Sequence, residues 1–288
     1  MSTALLVSDL DGTLLNSSKS VTPRTAEVLN RFIAAGGLFS VATARMAYGC
    51  DRLLAPLELR LPGVVMNGAA LYSFDTATYA EVQPLPAAAA AAVGEAAAKA
   101  GAGAFVYAVD GGRMRLGHAR TEDLEWTQYN SRRAQEALPP FTLVGFENWE
   151  RLGELVYLAV VGSDLQLAAV REAVAGTPGL SAHPYRNIYT DTDCLEFSST
   201  TAGKEAAVRR LQALVGAERL VVFGDNHNDV GMMAMADHSL APRDSVPEAL
   251  AVAHEVIGGN DEDGVAGAVE QHWRDWLAGG ETENPQNL

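Results

Sequence analysis

The stretch Ala4-Leu5-Leu6-Val7-Ser8-Asp9-Leu10-Asp11-Gly12-Thr13 opens as an apolar run and closes on two carboxylates one residue apart. Ala4 to Val7 reads as a short buried strand, and Gly12 breaks it. Successive strand residues point to opposite faces, so Asp9 and Asp11 share a face that Leu10 does not. In a parallel α/β sheet, strand ends are where ligands bind. Two acids this close require a cation, or a division of labour between base and acid. Taken alone, Asp9 to Thr13 reads equally as a strand followed by an ordinary Asp-Gly turn.

The sequence downstream bears on that choice. Thr22-Pro23 supplies a cap residue and a first-turn proline for a helix that ends at Gly36-Gly37. Leu38 to Ala42 is predicted as a strand, Met46 to Leu57 as a helix, and Val64 to Met66 as a short strand ending at Asn67-Gly68. The far end repeats the grammar. Gly203 to Val215 reads as a helix, Leu220 to Phe223 as a strand, Asn228 to Met235 as a helix, Ser239 to Ala241 as a strand and Gly264 to Leu277 as a last helix. Strands alternating with helices of this length predict an α/β fold with a Rossmann-like, doubly wound parallel sheet.

The middle breaks this pattern. Ala104–Val109 and Met114–Gly117 flank an Asp110-Gly111-Gly112 turn, and Leu155–Val161 and a helix-like Leu165–Ala175 follow. This reads as an inserted α+β module over 84–190, leaving 1–83 and 191–288 as the core. Ala87 to Ala100 is too short for a membrane span and carries Glu95 and Lys99 at i,i+4, so an amphipathic soluble helix is the reading. The segment from Gly279 to Leu288 reads as a frayed tail.

The 288 residues suffice for one large or two moderate domains, and 48% hydrophobic with 20% charged residues is a globular composition. A net charge of −15 repels nucleic-acid phosphates, so no nucleic-acid partner is expected. Small anions remain compatible, because a local cation can reverse the field inside a cleft. The two cysteines, Cys50 and Cys194, are far apart and form no metal or disulfide framework. With no basic leader at the N-terminus, the expectation is a cytoplasmic protein without a membrane partner.

Four further positions carry chemistry. Thr43-Ala44-Arg45 places a hydroxyl and a backbone amide at a strand end, suited to phosphoryl oxygens or to a plain helix N-cap. Lys204 falls in a first helical turn, where it opposes the macrodipole; it reads as a point charge for a phosphate or as a solvated surface lysine. Gly224-Asp225-Asn226-His227-Asn228-Asp229 follows an apolar strand and gathers the oxygen ligands that Mg2+ prefers, though a capped helix start explains Asp225 alone. His227 reads as exposed rather than catalytic.

In this order, Asp9-Leu10-Asp11-Gly12-Thr13-Leu14, Val41-Ala42-Thr43-Ala44-Arg45, Lys204 and Gly224–Asp229 resemble the haloacid dehalogenase superfamily, and within it the Cof-type sugar-phosphate phosphatases. Asn67-Gly68, Leu195-Glu196-Phe197 and Asn260–Ala266 resemble the same subgroup. The resemblance implies that the inserted module is a cap domain governing specificity. It implies a phosphatase that uses Mg2+ as cofactor and acts on a small phosphorylated metabolite, a sugar phosphate first, through an aspartyl phosphate. Asp9 would be the nucleophile and Asp11 the acid and base. Asp9, the Asp11 backbone carbonyl and Asp225 would hold the metal. Thr43, Ala44, Lys204 and Asn228 would bind the phosphoryl group, with Asp229, and Asn228 beside it, supporting the metal and Lys204.

Arg45 and Asn67, at core strand ends, are candidate substrate contacts. So is Arg186, in a cluster with His183, Tyr185 and Asn187 that also reads as an ordinary surface loop. The chain departs from the subgroup at three places: Ala44 and Glu205 replace glycines, and Pro242-Arg243-Asp244-Ser245 replaces Met-Gly-Asn-Ala. A phosphotransferase or mutase would use the same aspartyl phosphate, and a non-catalytic phosphometabolite sensor would use the same fold without Asp11.

Overall fold

The computed structural model describes residues 4–119, 141–187 and 192–277. The predicted tail from Gly279 lies outside them. The chain divides into two compact units, Met1–Ala77 with Gly203–Leu288, and Thr78–Ala202.

In chain order the first unit begins with β1 (Ala4–Ser8), α1 (Pro23–Ala34), β2 (Leu38–Val41), α2 (Ala47–Leu54), β3 (Gly63–Val65) and β4 (Ala70–Ser73). The second unit carries β5 (Thr78–Ala80), α3 (Ala87–Ala100), β6 (Gly103–Asp110), β7 (Arg113–Ala119), β8 (Thr142–Leu143), β9 (Glu154–Val161), α4 (Asp164–Ala173), β10 (Leu180–Asn187) and β11 (Thr192–Ser199). The chain returns to the first unit as α5 (Lys204–Val215), β12 (Arg219–Phe223), α6 (Val230–Ala234), β13 (His238–Pro242), α7 (Pro247–Val252), β14 (Glu255–Ile257), α8 (Gly264–Gln271) and α9 (Trp273–Trp276).

The first unit is a five-stranded parallel sheet in the order β14-β13-β12-β1-β2. From β1 the chain runs one way to β2; from β12 it runs the other way to β13 and β14. The strand order therefore reverses between β1 and β12, and such a switch point opens a crevice beyond the carboxyl ends of the two strands. Both faces of β1 are buried, which is why its sequence is continuously apolar rather than alternating. Leu5 and Val7 pack with Val208, Leu211 and Met232 on one face. Ala4 and Leu6 pack with Phe32, Val269 and Trp276 on the other. Thr22 caps α1 by accepting from the Thr25 N–H at 3.0 Å, with Pro23 in the first turn.

The second unit is a six-stranded sheet, β10-β11-β9-β6-β7-β8, antiparallel except for the β7–β8 pair. Its core packs α3 and α4 residues such as Val93, Ala97, Leu167 and Val170 against Val106, Leu158 and Phe197. The expected module boundaries near residues 83 and 191 differ from the junctions at 77/78 and 202/203. β11 pairs with β10 along its length and with β9 over Cys194–Phe197, which binds residues 192–199 to the second unit.

Three local expectations differ from the structure. The last predicted helix is two, α8 and α9, broken at His272. The Asn228–Met235 helix begins as a single tight turn, His227–Asp229, before α6. The segment carrying His183, Tyr185, Arg186 and Asn187 is an edge strand, β10, not a loop. No helix among the described residues is long and apolar enough to cross a membrane.

Candidate active site

Asp9 and Asp225 stand just beyond the carboxyl ends of β1 and β12, on the two sides of the switch point. The Asp9 N–H donates to the Phe223 carbonyl of β12 at 2.9 Å, fixing Asp9 at the mouth of the crevice. Lys204 opens α5 with its side chain only 1% exposed, and its Nζ donates to Asp9 Oδ1 at 2.5 Å and to Asp229 Oδ1 at 2.7 Å. Its place in a first helical turn, unfavourable for the helix, is thus offset by two carboxylates rather than by solvent. Asp229 is fully buried, and its second oxygen accepts from the Asp225 and Asn226 N–H groups at 3.1 and 3.0 Å. The Thr13 hydroxyl donates to Asp225 Oδ1 at 2.8 Å. One carboxylate oxygen from each of Asp9, Asp225 and Asp229 lies within 4.8 Å of the other two.

These groups share one electrostatic problem. Burial pushes the Asp9 carboxyl up to about 7; Lys204 pulls it down, while Asp229 and Asp225 add to the rise. Burial also raises Asp225, helped by Asp229 and resisted by the Thr13 hydrogen bond. For Lys204, burial disfavours the charge, but Asp9 and Asp229 outweigh it and raise its pKa. Three acids face one cation here, so the cluster lacks positive charge.

Asp11 has different surroundings. Arg45 grips it as a fork, Nε to Oδ2 at 2.6 Å and Nη2 to Oδ1 at 2.8 Å, and Lys19 Nζ donates to Oδ1 at 2.8 Å. Burial alone would raise its pKa, but the bonds and charges of Arg45 and Lys19 hold it at about 2. Asp11 is therefore held in its ionised form in this conformation. Lys19, in the turn that precedes α1, is a partner that sequence reasoning missed. Its rarity as one of three lysines was the available signal.

Thr43 is buried after β2, with its N–H donating to the Val64 carbonyl and its own carbonyl accepting from the Asn67 N–H. Its hydroxyl accepts from the Arg45 N–H at 3.1 Å, while Met46 occupies the N-cap of α2, so Thr43 is not a plain helix cap. Ala44 is exposed in the turn between them. Asn67 is in the left-handed region at φ 51°, and its Oδ1 accepts from Asn228 Nδ2 at 3.0 Å. Asn228 is exposed, and its side-chain amide bonds to Asn67 rather than to Lys204 or a carboxylate of the cluster.

Two glycines make the close approaches possible. Gly12 has φ +87°, and a Cβ there would collide with Asp225 Oδ2. Gly68 has φ +90°, and a Cβ would overlap the Gly203 carbonyl at the start of α5. Of the three departures from the subgroup, Glu205 is exposed and leans over Gly231. The residues after β13 remain useful: the Val246 N–H donates to the Asp225 carbonyl at 2.9 Å, and Arg243 pairs with Glu262 at 2.5 Å. Arg186 belongs to the second unit, where its Nη1 donates to Asp193 Oδ1 at 3.1 Å beside a cavity of about 300 Å3 also lined by Arg171 and Tyr185.

Comparison with known proteins bears on the family and the fold. The family model of haloacid dehalogenase-like hydrolases matches residues 6–269. The pyridoxal phosphate phosphatase YbhA of Escherichia coli (strain K12) is 27% identical over 280 residues, covering 94% of this chain and 99% of the relative. The 5-amino-6-(5-phospho-D-ribitylamino)uracil phosphatase YwtE of Bacillus subtilis (strain 168) is 25% identical over 283 residues, covering 91% and 96%. A haloacid dehalogenase-like hydrolase from Bacteroides thetaiotaomicron superposes with a TM-score of 0.73 at 22% identity, covering 93% of this chain and 99% of that one. With the parallel sheet, its switch point and the motif order all in place, the chain belongs to the haloacid dehalogenase-like hydrolase family, in its Cof-type group.

Proposed function

We propose that this phosphatase hydrolyses a small phosphorylated metabolite, a sugar phosphate first, through an aspartyl phosphate on Asp9 with Mg2+ as cofactor. The observation that carries the reading is the buried Lys204 ammonium bridging Asp9 and Asp229 beside Asp225, at the switch point of the sheet. The names of two relatives point to the substrate class, since one acts on pyridoxal phosphate and the other on a phosphoribityl compound.

The donor set fits Mg2+. Its ligands are hard oxygens, and three acids there face the single Lys204 ammonium. Asp229 is committed to Lys204 and to two backbone N–H groups, so Asp9, Asp225 and the Asp11 carbonyl are the residues that would hold the ion. When bound, the ion neutralises charge on Asp9 and on the phosphoryl oxygens.

The chain's own groups supply the rest. An Asp9 oxygen attacks phosphorus, and the ester P–O bond breaks. Lys204 and the Thr43 hydroxyl meet the equatorial oxygens, where charge is spread in the transition state. Asp11 gives a proton to the leaving alkoxide, then takes one from the water that attacks the aspartyl phosphate, releasing phosphate and restoring Asp9. For Asp11 to carry that proton, Arg45 must loosen its grip; an incoming phosphate dianion is the competitor that draws the guanidinium off. The second unit acts as the specificity cap, with Arg186 as a substrate contact.

The test is phosphate release from a panel of phosphorylated metabolites, with Mg2+ and with chelator, for the wild type and Asp9→Asn. Metal-dependent release that vanishes in the variant is the expected outcome. Release only when an acceptor alcohol is added would make the enzyme a transferase, and ligand-dependent stability without turnover would make it a sensor.

A further inference from the structure

The amino end of the same sheet holds a second constellation. His238 opens β13, Glu255 opens β14, and His272 sits at the break between α8 and α9. Glu255 is the register partner of Leu240, which shares a face with His238, so both side chains project to the side covered by α8 and α9. His272 Nε2 lies 2.8 Å from Glu255 Oε2, and His238 Nε2 lies 3.5 Å from the same oxygen. One ligand atom from each of the three residues falls within 4.8 Å of the other two. His238 also pairs with Val221 of β12, four residues before Asp225, so this cluster lies about 13 Å down the strand from the carboxylate site.

We propose that His238, Glu255 and His272 form a site for one late first-row divalent ion of the Zn2+ class, separate from the carboxylate site and independent of the catalytic reading. Two imidazoles with one carboxylate are a donor set that Zn2+, Ni2+ and Cu2+ prefer and Mg2+ does not. Tetrahedral Zn2+ with ligands at about 2.0–2.1 Å sets neighbouring ligand atoms about 3.3 Å apart. The 3.5 Å separation already matches this, and the 2.8 Å one needs to open by about half an ångström.

The surroundings orient the donors. Gln271 Nε2 donates to Glu255 Oε1 at 3.3 Å, leaving Oε2 turned toward both imidazoles. The His272 ring stacks on Trp276 with centroids 4.8 Å apart and planes 26° apart, and the His238 ring stands edge-on to His272 at 5.2 Å. The three side chains are 20–26% exposed, so the cluster is partly open to solvent. A bound ion would tie β13 and β14 to the break between the last two helices.

The test uses the full-length protein in excess Mg2+, added to compete with Co2+ at the carboxylate cluster, titrated with Co2+ as a spectroscopic substitute. The expected result is intense visible absorption of four-coordinate Co2+, lost in His272→Gln and in His238→Gln but kept in Asp225→Asn. Dialysis against Zn2+ followed by elemental analysis should find one equivalent fewer in each histidine variant than in the wild type. Circular dichroism without metal shows whether each variant is folded, and either folded histidine variant decides the matter. Full Co2+ absorption and Zn2+ content in a folded histidine variant overturns the proposal, as does their loss in Asp225→Asn instead.

Discussion

Asp9 and Asp11 are separated only by Leu10 beyond one strand end, yet their environments have little in common. Asp9 is buried, shares a single lysine with a second buried acid, and has its pKa raised to about 7. Asp11 is about one-third exposed, meets two cations, and has its pKa lowered to about 2. The difference teaches that surroundings, burial around Asp9 and cations around Asp11, and not spacing set the protonation of paired carboxylates. The Asp9 side sets three acids against one lysine, which is the imbalance that the proposed metal would correct. The Asp11 side sets two cations against one carboxylate, so under the proposed mechanism Asp11 carries a proton only once Arg45 lets go. The most severe break of this comparison is Asp9→Asn, expected to lower phosphate release by at least about 10⁴-fold, as for loss of a covalent nucleophile. Asp11→Asn should lose less, about 10²–10⁴-fold, because only proton transfer is removed. Equal residual rates in the two variants, measured by phosphate release, would remove the distinction.

Lys204→Met tests the buried side directly. It leaves Asp9 and Asp229 buried without their cation, so unfolding should become easier by about 3–5 kcal/mol. The rate should fall about 10²–10³-fold, because the phosphoryl oxygens no longer meet the ammonium. Urea titrations with and without Mg2+ separate the two effects: the ion should return part of the lost stability, since it supplies charge to the same acids. A variant as stable as the wild type in chelator would mean that the ammonium is not what makes the carboxylates tolerable.

Much of this was legible in the sequence for a physical reason. Asp9, Thr43 and Asp225 each follow an apolar strand run, and a parallel sheet gathers strand ends at one edge, so order along the chain translates into proximity. Lys204 announced itself by sitting where a helix does not want it. What was not legible depended on contacts between segments that carry no periodic signal. Lys19 reaches Asp11 from a turn in which it adopts φ 56°. The break at His272 has no glycine or proline to mark it; it follows from Trp273 and Trp276 both turning into the core, edge-on to Phe32 and Phe223 respectively. β10 was hidden because an edge strand tolerates Pro184 and polar side chains that a central strand would exclude.

The two aspartates should also give opposite slopes of stability against pH. Asp9 has its folded pKa raised above the ordinary carboxylate value of about 4, so its contribution is full below that value and is lost as pH rises toward about 7. Asp11 has its folded pKa lowered, so its contribution is full above about 4 and is lost as pH falls toward about 2. In chelator, the difference in Tm between wild type and Asp9→Asn should therefore decline from about pH 4 to 7, while that between wild type and Asp11→Asn should grow from about pH 2 to 4. Mg2+ should flatten the first slope and leave the second alone.

Arg45→Ala is the smallest perturbation and the finest test. It removes the fork from Asp11 but leaves Lys19, so the Asp11 pKa should move up from about 2 toward its ordinary value without reaching it. The acid-side loss of stability should then begin at the same pH and end at a higher one, a narrower window read from Tm against pH. If Arg45 moves from Asp11 to the phosphate during turnover, KM should rise about tenfold, as expected when one charge-assisted hydrogen bond to the substrate is removed. A rise in kcat together with an unchanged KM would instead mean that Arg45 only restrains Asp11 and never meets the substrate. Arg45→Lys separates these roles further, since a lysine supplies the charge but not the fork. It should recover most of the affinity for substrate and little of the low pKa of Asp11.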